Sequence, residues 1–458
     1  MKKWFIPFIV FLTIINFNTS FSQLPNQNMR LLRNLNEHYT GTLYSAVWGY
    51  AAPDGREYAI LGCPAGTSFV DVTDTNNIHE ADFLTGVTSA WREMKTYSHY
   101  AYIVSEGSNS KLQIVDLQYL PDSVHLVKVW NYTGYTNTHS ISQAGHYLYL
   151  NGGNSAANGG ITAVDVIDPE NPVKMGQWTS LYVHDCRVVN DTIYAANINN
   201  GKVSIINATN KASLTSITSF TNLTGSGPHN TALSTDRKRL FVTDEIGTAP
   251  HLLKVWNIED LAAITYVTNW QPTGITTSIV HNIETYGNYA IIAHYSAGVR
   301  VVNISNPDIP TEVAWYDTYP SNNAESYNGC WGVYMLPSGK IIASDRQTGL
   351  YVLRTNFTMT GLSGNSVNTI PENYSLSQNY PNPFNPSTVI SYQIPNSEFV
   401  SLKVYNELGK EISSLVSKNQ NAGRYEISFD GANLSSGIYY YSIQAGNFSE
   451  TKKMIMVK

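Results

Sequence analysis

The sequence predicts an all-β protein: a seven-bladed β-propeller followed by a small immunoglobulin-like β-sandwich. Three observations carry that expectation. A strand ending in Asp or Asn recurs at near-constant spacing, a second apolar strand precedes every copy, and a segment of different rhythm follows the last one.

The recurring strand reads Phe69-Val70-Asp71, Ile114-Val115-Asp116, Ala163-Val164-Asp165, Ile205-Ile206-Asn207, Val255-Trp256-Asn257 and Val301-Val302-Asn303, with Val352-Leu353-Arg354 as a worn seventh copy. Successive intervals are 45, 49, 42, 50, 46 and 51 residues, the size of a four-stranded propeller blade. The strand before each copy is apolar, as in Tyr58-Ala59-Ile60-Leu61 and Ala290-Ile291-Ile292-Ala293, and most copies are followed by a third strand, such as residues 126–130. Runs rich in Val, Ile and Tyr fit pleated, half-buried surfaces. The Asp or Asn that closes each copy suits a turn, because a short polar side chain can bond the backbone two residues on. The seventh copy has no outer strand of its own. Residues 29–35 are expected to supply it and close the ring, which removes an edge that would otherwise pair with other chains.

Composition narrows the function. With 458 residues, 14% of them charged, and a net charge of -6, the chain has no basic footprint for nucleic acid. Three cysteines, Cys63, Cys186 and Cys330, are too few for a disulfide framework. At the start, Lys2 and Lys3 precede an apolar run over residues 4–17 and a small polar stretch ending Ser20-Phe21-Ser22-Gln23. That order is a signal peptide, with the mature chain beginning at Gln23. No second stretch approaches the roughly 20 apolar residues of a membrane span, so the mature chain is expected to have no transmembrane segment. The expected organisation is a signal peptide at 1–22, a closing segment at 23–40, the propeller at 41–356, a linker at 357–373 rich in Ser, Asn and Gly, and the sandwich at 374–458.

Several stretches carry a family resemblance. Gly66-Thr67-Ser68-Phe69-Val70-Asp71-Val72-Thr73-Asp74, Trp91-Arg92-Glu93-Met94-Lys95-Thr96-Tyr97, Tyr182-Val183-His184-Asp185, Ala297-Gly298-Val299-Arg300-Val301 and Trp315-Tyr316-Asp317-Thr318-Tyr319-Pro320 make residues 44–353 similar to the LVIVD-type propeller of choice-of-anchor B proteins. The opening Tyr380-Pro381-Asn382-Pro383-Phe384-Asn385-Pro386, the Ser435-Ser436-Gly437-Ile438-Tyr439 stretch and the closing Lys452-Lys453-Met454-Ile455-Met456-Val457-Lys458 make the C-terminal region resemble the type A sorting domain of type IX secretion. The second resemblance implies the secretion machinery as a partner, passage across the outer membrane, removal of the domain, and release or linkage to surface lipopolysaccharide. The first supplies no activity.

Function therefore has to come from a site. His139, His184, His229 and His281 recur near the first strand of four successive units, at intervals of 45, 45 and 52 residues, while Trp48, Trp91 and Trp331 take the corresponding places elsewhere. Equal positions in successive blades point at one axis, so the four imidazoles are expected to converge at one mouth of the channel. Asp185, Asp244 and Glu245 are the acidic candidates beside them. Imidazole and carboxylate are ligands for a divalent transition metal such as zinc, and Cys186 is a candidate fifth donor. Polar residues at blade tops also bond loops and ordered water, or touch a ligand directly, and both alternatives stand beside the metal. No nucleophile motif, phosphate loop or metalloprotease helix is present in the sequence. The leading expectation is a non-enzymatic module that binds an extracellular protein, glycan or metal. The alternative is a metal-dependent hydrolase or lyase. Mass spectrometry of the host's surface and medium should find a form that starts near Gln23 and lacks the segment after about Tyr374. An intact C-terminus in the mature product would contradict the sorting reading.

Overall fold

The computed structural model describes residues 26–38, 43–359, 374–379, 382–396, 398–420, 423–432 and 434–457. The signal peptide and most of the linker expected from the sequence lie outside the described residues.

Seven antiparallel sheets follow one another along the chain. Their innermost strands are Val47–Ala51, Arg92–Tyr97, Ser140–Ala144, Asp185–Val189, Ser226–Leu233, Ile283–Tyr286 and Cys330–Met335, and these define blades one to seven. Each innermost strand packs against the next, and that of blade seven packs against that of blade one, so the ring is complete. Apolar clusters fill the blade junctions in turn. Tyr102 and Ile114 meet Ile141 and Leu148 between blades two and three, and Ala232 and Phe241 meet Ile283 and Ile292 between blades five and six. One large cluster joins blades seven, one and two through Tyr334, Phe69 and Met94.

The Asx turns that the repeat implies are formed. Asp71, Asp116, Asp165, Asn207, Asn257 and Asn303 each accept a backbone N–H from the residue two positions on, at 2.8–3.0 Å. These bonds end the third strand and turn the chain toward the fourth, with the side chain standing in for a backbone acceptor. A register slip also recurs in every blade between the third and outermost strands, for example at Phe69/Val70 and Val301/Val302. A bulge adds local right-handed twist, which fits outer strands that must splay away from the axis.

Blade seven takes its outermost strand from the other end of the chain. Met29–Leu35 pairs antiparallel with Gly349–Thr355. Just before it, separated by Asn28, Asn26–Gln27 adds a short fifth strand to blade six by pairing with Tyr316 and Trp315, which the repeat pattern does not foretell. The C-terminal region forms two sheets, one of three strands and one of four, around a shared core that includes Ile390, Tyr392, Leu402 and Tyr441.

Closure by residues 29–35 has a measurable cost if it is broken. Met29 is fully buried between blades six and seven, with Leu353 and Met335 in the same cluster. Met29→Ala should cost about 2–5 kcal/mol, and deletion of residues 24–40 should lower the melting temperature. An unchanged melting temperature would contradict closure by this strand.

Candidate metal centre at the channel mouth

The four histidines reach the mouth by two routes. His139 and His184 stand one residue before the innermost strands of blades three and four, and His281 stands two residues before that of blade six. His229 lies inside its strand, where Pro228 faces Asp244 and Thr231 faces Val242. The inner strand thus spends two residues, His229 and Asn230, opposite one, and this bulge turns both side chains toward the axis. A similar slip between Cys330 and Gly332 frees Trp331 in blade seven.

The imidazoles meet one another in sequence around the mouth, edge-on or tilted. Ring centroids are 4.0 Å apart from His139 to His184, 4.4 Å from His184 to His229 and 3.9 Å from His229 to His281. Glu245 reaches this arc from the end of the second strand of blade five, Arg239–Gly247. One carboxylate oxygen lies 3.8 Å from His184 Nε2 and 3.6 Å from His229 Nε2, and the other lies 3.5 Å from His281 Nε2. Two of these separations are too long for hydrogen bonds, and the contact with His281 Nε2 does not form one either. They suit donors sharing one cation, since bonds of about 2.0–2.1 Å in a tetrahedral shell set neighbouring donors roughly 3.3 Å apart. The ligand atoms of His184, His229 and Glu245 all fall within 4.8 Å of one another.

Second contacts prepare these donors. The Tyr295 hydroxyl donates to Glu245 Oε1 at 2.7 Å and fixes the carboxylate. The Trp331 carbonyl lies 2.5 Å from His281 Nδ1, which must donate to it, so His281 Nε2 carries a bare lone pair and has no hydrogen-bond partner. His184 Nδ1 is buried without a partner as well. Burial pulls His184 and His281 well below the ordinary imidazole range, and pulls His229 down to about 3. All three are neutral at physiological pH, the form that binds metals. Burial also raises the pKa of Glu245, with the Tyr295 hydrogen bond opposing it.

The remaining candidates divide. Burial lowers His139, but the Glu106 carboxylate 2.6 Å from its Nδ1 outweighs that and raises its pKa, so this ring is held on Glu106 beside the cluster. Asp185 lies below the imidazoles, accepting from Asn230 and, at 2.7 Å, from the Cys186 backbone N–H. Asp244 does not join the cluster. Alternation along its strand sends it to the opposite face from Glu245, where it pairs with Lys254 and accepts from Asn222 at 2.7 Å. Cys186 is not a donor either, since its thiol faces blade three, 3.3 Å from Ser142 Oγ and 3.4 Å from Asn151 Oδ1, and burial pushes its pKa up to about 12. Trp48 sits deeper in the channel than expected, with its indole N–H on Thr96 Oγ1 and the Lys95 ammonium over its ring.

Sequence reasoning missed Tyr295, Glu106 and Arg346. The signal for two of them was present: Glu245, Tyr295 and Arg346 stand at or just past the end of the second strand in successive blades, at intervals of 50 and 51 residues.

Residues 378–458 match the secretion system C-terminal sorting domain, and residues 279–318 match the LVIVD repeat. The chain therefore carries an LVIVD repeat in its propeller and a type IX sorting domain behind it, which addresses it to the medium or the outer-membrane surface. No curated protein matches it. Among solved structures, a candidate 6-phosphogluconolactonase of Bacteroides fragilis is similar with a TM-score of 0.50 at 10% identity, covering 84% of this chain and 98% of that one. The periplasmic gluconolactonase of Pseudomonas aeruginosa is similar at 0.48 and 10%, covering 84% and 99%. The surface component PorZ of the Porphyromonas gingivalis type IX system is similar at 0.43 and 11%, covering 89% and 59%. At such identity the first likeness is one of fold alone. Among the described residues no helix is long and apolar enough to cross a membrane.

The division between Asp244 and Glu245 is testable. Lys254→Ala strands the buried Asp244 carboxylate and should destabilise the propeller by about 3–5 kcal/mol, whereas Glu245→Gln should leave the melting temperature of the metal-free protein nearly unchanged. Equal destabilisation by both would contradict the separate roles.

Proposed function

We propose that this exported propeller is a metal-dependent binding module, with a divalent transition ion such as zinc held by His184, His229 and Glu245 and with His281 beside them. One observation carries the reading: three imidazole Nε2 atoms surround a single buried carboxylate at 3.5–3.8 Å. Without a cation the bare Nε2 lone pair of His281 faces the buried Glu245 carboxylate with no donor between them, which costs free energy. Tyr295 supplies the outer contact of Glu245 and the Trp331 carbonyl that of His281, whereas Nδ1 of His184 and Nδ1 of His229 are buried without a hydrogen-bond partner. The module reading is favoured over catalysis by the nearby hydroxyls. Ser140 donates to the His184 carbonyl at 2.6 Å and Tyr295 donates to Glu245, so neither is poised as a nucleophile.

The second reading, a metal-dependent hydrolase or lyase, rests on donor number. Two histidines and one glutamate leave a tetrahedral ion one open position for water or substrate. Zinc-dependent hydrolysis of p-nitrophenyl acetate that vanishes in the His184→Ala/His229→Ala double variant would favour it.

Elemental analysis of purified protein after zinc loading and desalting should give about one ion per chain. The His184→Ala/His229→Ala variant should retain none and still fold, since stability rests on apolar packing between blades. Tyr295→Phe should bind zinc about 10–100-fold more weakly. Zinc retention equal to wild type in the double variant would overturn the assignment.

A further inference from the structure

The mouth contains a cation that the metal centre does not use. Arg346 follows the second strand of blade seven, Ile341–Asp345, and is 6% exposed. Its guanidinium lies over the Trp331 ring at 4.9 Å and 5.8 Å from the Trp91 ring, and those two indoles meet edge to face at 6.0 Å. Trp331 in turn lies 4.7 Å from His281. Arg346 is thus one indole away from the histidine arc.

Its hydrogen-bonding capacity is only partly used. Tyr295 is a partner, while Glu245 and Asp345 act on it through space. Nε is buried without an acceptor. Arginine stays charged in proteins, so a nearly buried guanidinium with an idle N–H is set to receive an anion. Beside it Trp91 is 37% exposed and Tyr327 is 45% exposed, with the Tyr327 ring against Tyr295 at 5.5 Å. Adding a divalent ion would leave the mouth with more positive than negative charge near Glu245, and a neutralising anion would then be favoured.

We propose that the channel mouth binds a small organic carboxylate, which takes the open position on the ion at His184, His229 and Glu245 and is received by the Arg346 guanidinium, its body lying against Trp91 and Tyr327. This rests on the metal reading for one of its two anchors. Planar guanidinium recognises a carboxylate through paired N–H donors, which Lys cannot reproduce. Exposed indole and phenol faces add contact for a flat body.

The test is calorimetric titration of the zinc-loaded full chain with benzoate, acetate and inorganic phosphate, with zinc content measured on each sample. Benzoate should bind more tightly than the other two. Arg346→Gln should weaken it by about tenfold or more at unchanged zinc content. Arg346→Lys guards against a folding defect and should weaken it as well while keeping the charge. No benzoate binding by zinc-loaded wild type, equal binding by both variants, or tighter binding of phosphate would overturn the proposal. If wild type retains no zinc, the metal reading fails by that measurement alone. Benzoate is then titrated into the metal-free chain, where Arg346-dependent binding supports the carboxylate site and its absence overturns it.

Discussion

Ring closure by the strand Met29–Leu35 on Gly349–Thr355 is the constraint on which the rest of this propeller depends. The innermost strands form a continuous wall only if blade seven can hold its place against blade one, and blade seven lacks an outer strand of its own. Once the wall is continuous, residues at equivalent strand positions are forced toward one axis. Two rings then arise at the same mouth. The first, from the starts of the innermost strands, gives Trp91, His139, His184, His229, His281 and Trp331. The second, from the ends of the second strands, gives Glu106, Glu245, Tyr295 and Arg346.

The chemistry of the mouth follows from bringing those rings together away from water. Burial disfavours charge on the imidazoles, so His184, His229 and His281 are neutral donors. The same burial makes Glu245 costly as an unpaired carboxylate, and the Tyr295 hydroxyl offsets only part of that cost. A divalent ion among these groups, as proposed, would supply the missing charge. His139 shows the other solution available to a buried imidazole, since the Glu106 carboxylate on its Nδ1 raises its pKa against the effect of burial.

The sequence made the repeats legible because they are local. The Asp or Asn closing the third strand of blades one to six acts on a backbone N–H two residues away, and the period between copies is that of one blade. The histidine arc was legible for the same reason, as one position repeated four times. Orientation within a strand was not. Asp244 and Glu245 are adjacent in sequence, and only the register of Arg239–Gly247 sends one to Lys254 and the other to the mouth. The bulge that presents His229, the turning of Cys186 toward blade three and the depth of Trp48 likewise depend on cross-strand pairing. Arg346 repeats the place of Glu245 and Tyr295 one blade on, but its neighbour Trp91 lies in blade two, and sequence distance hides that they are close.

The measurement that bears most directly on the metal centre is anomalous diffraction at the zinc edge from crystals of zinc-loaded protein. The account predicts one strong peak in the channel mouth, about 2.0–2.1 Å from nitrogens of His184 and His229 and in contact with a Glu245 oxygen. A mouth with no anomalous peak, or zinc found only on surface histidines such as His79 and His125, would contradict it.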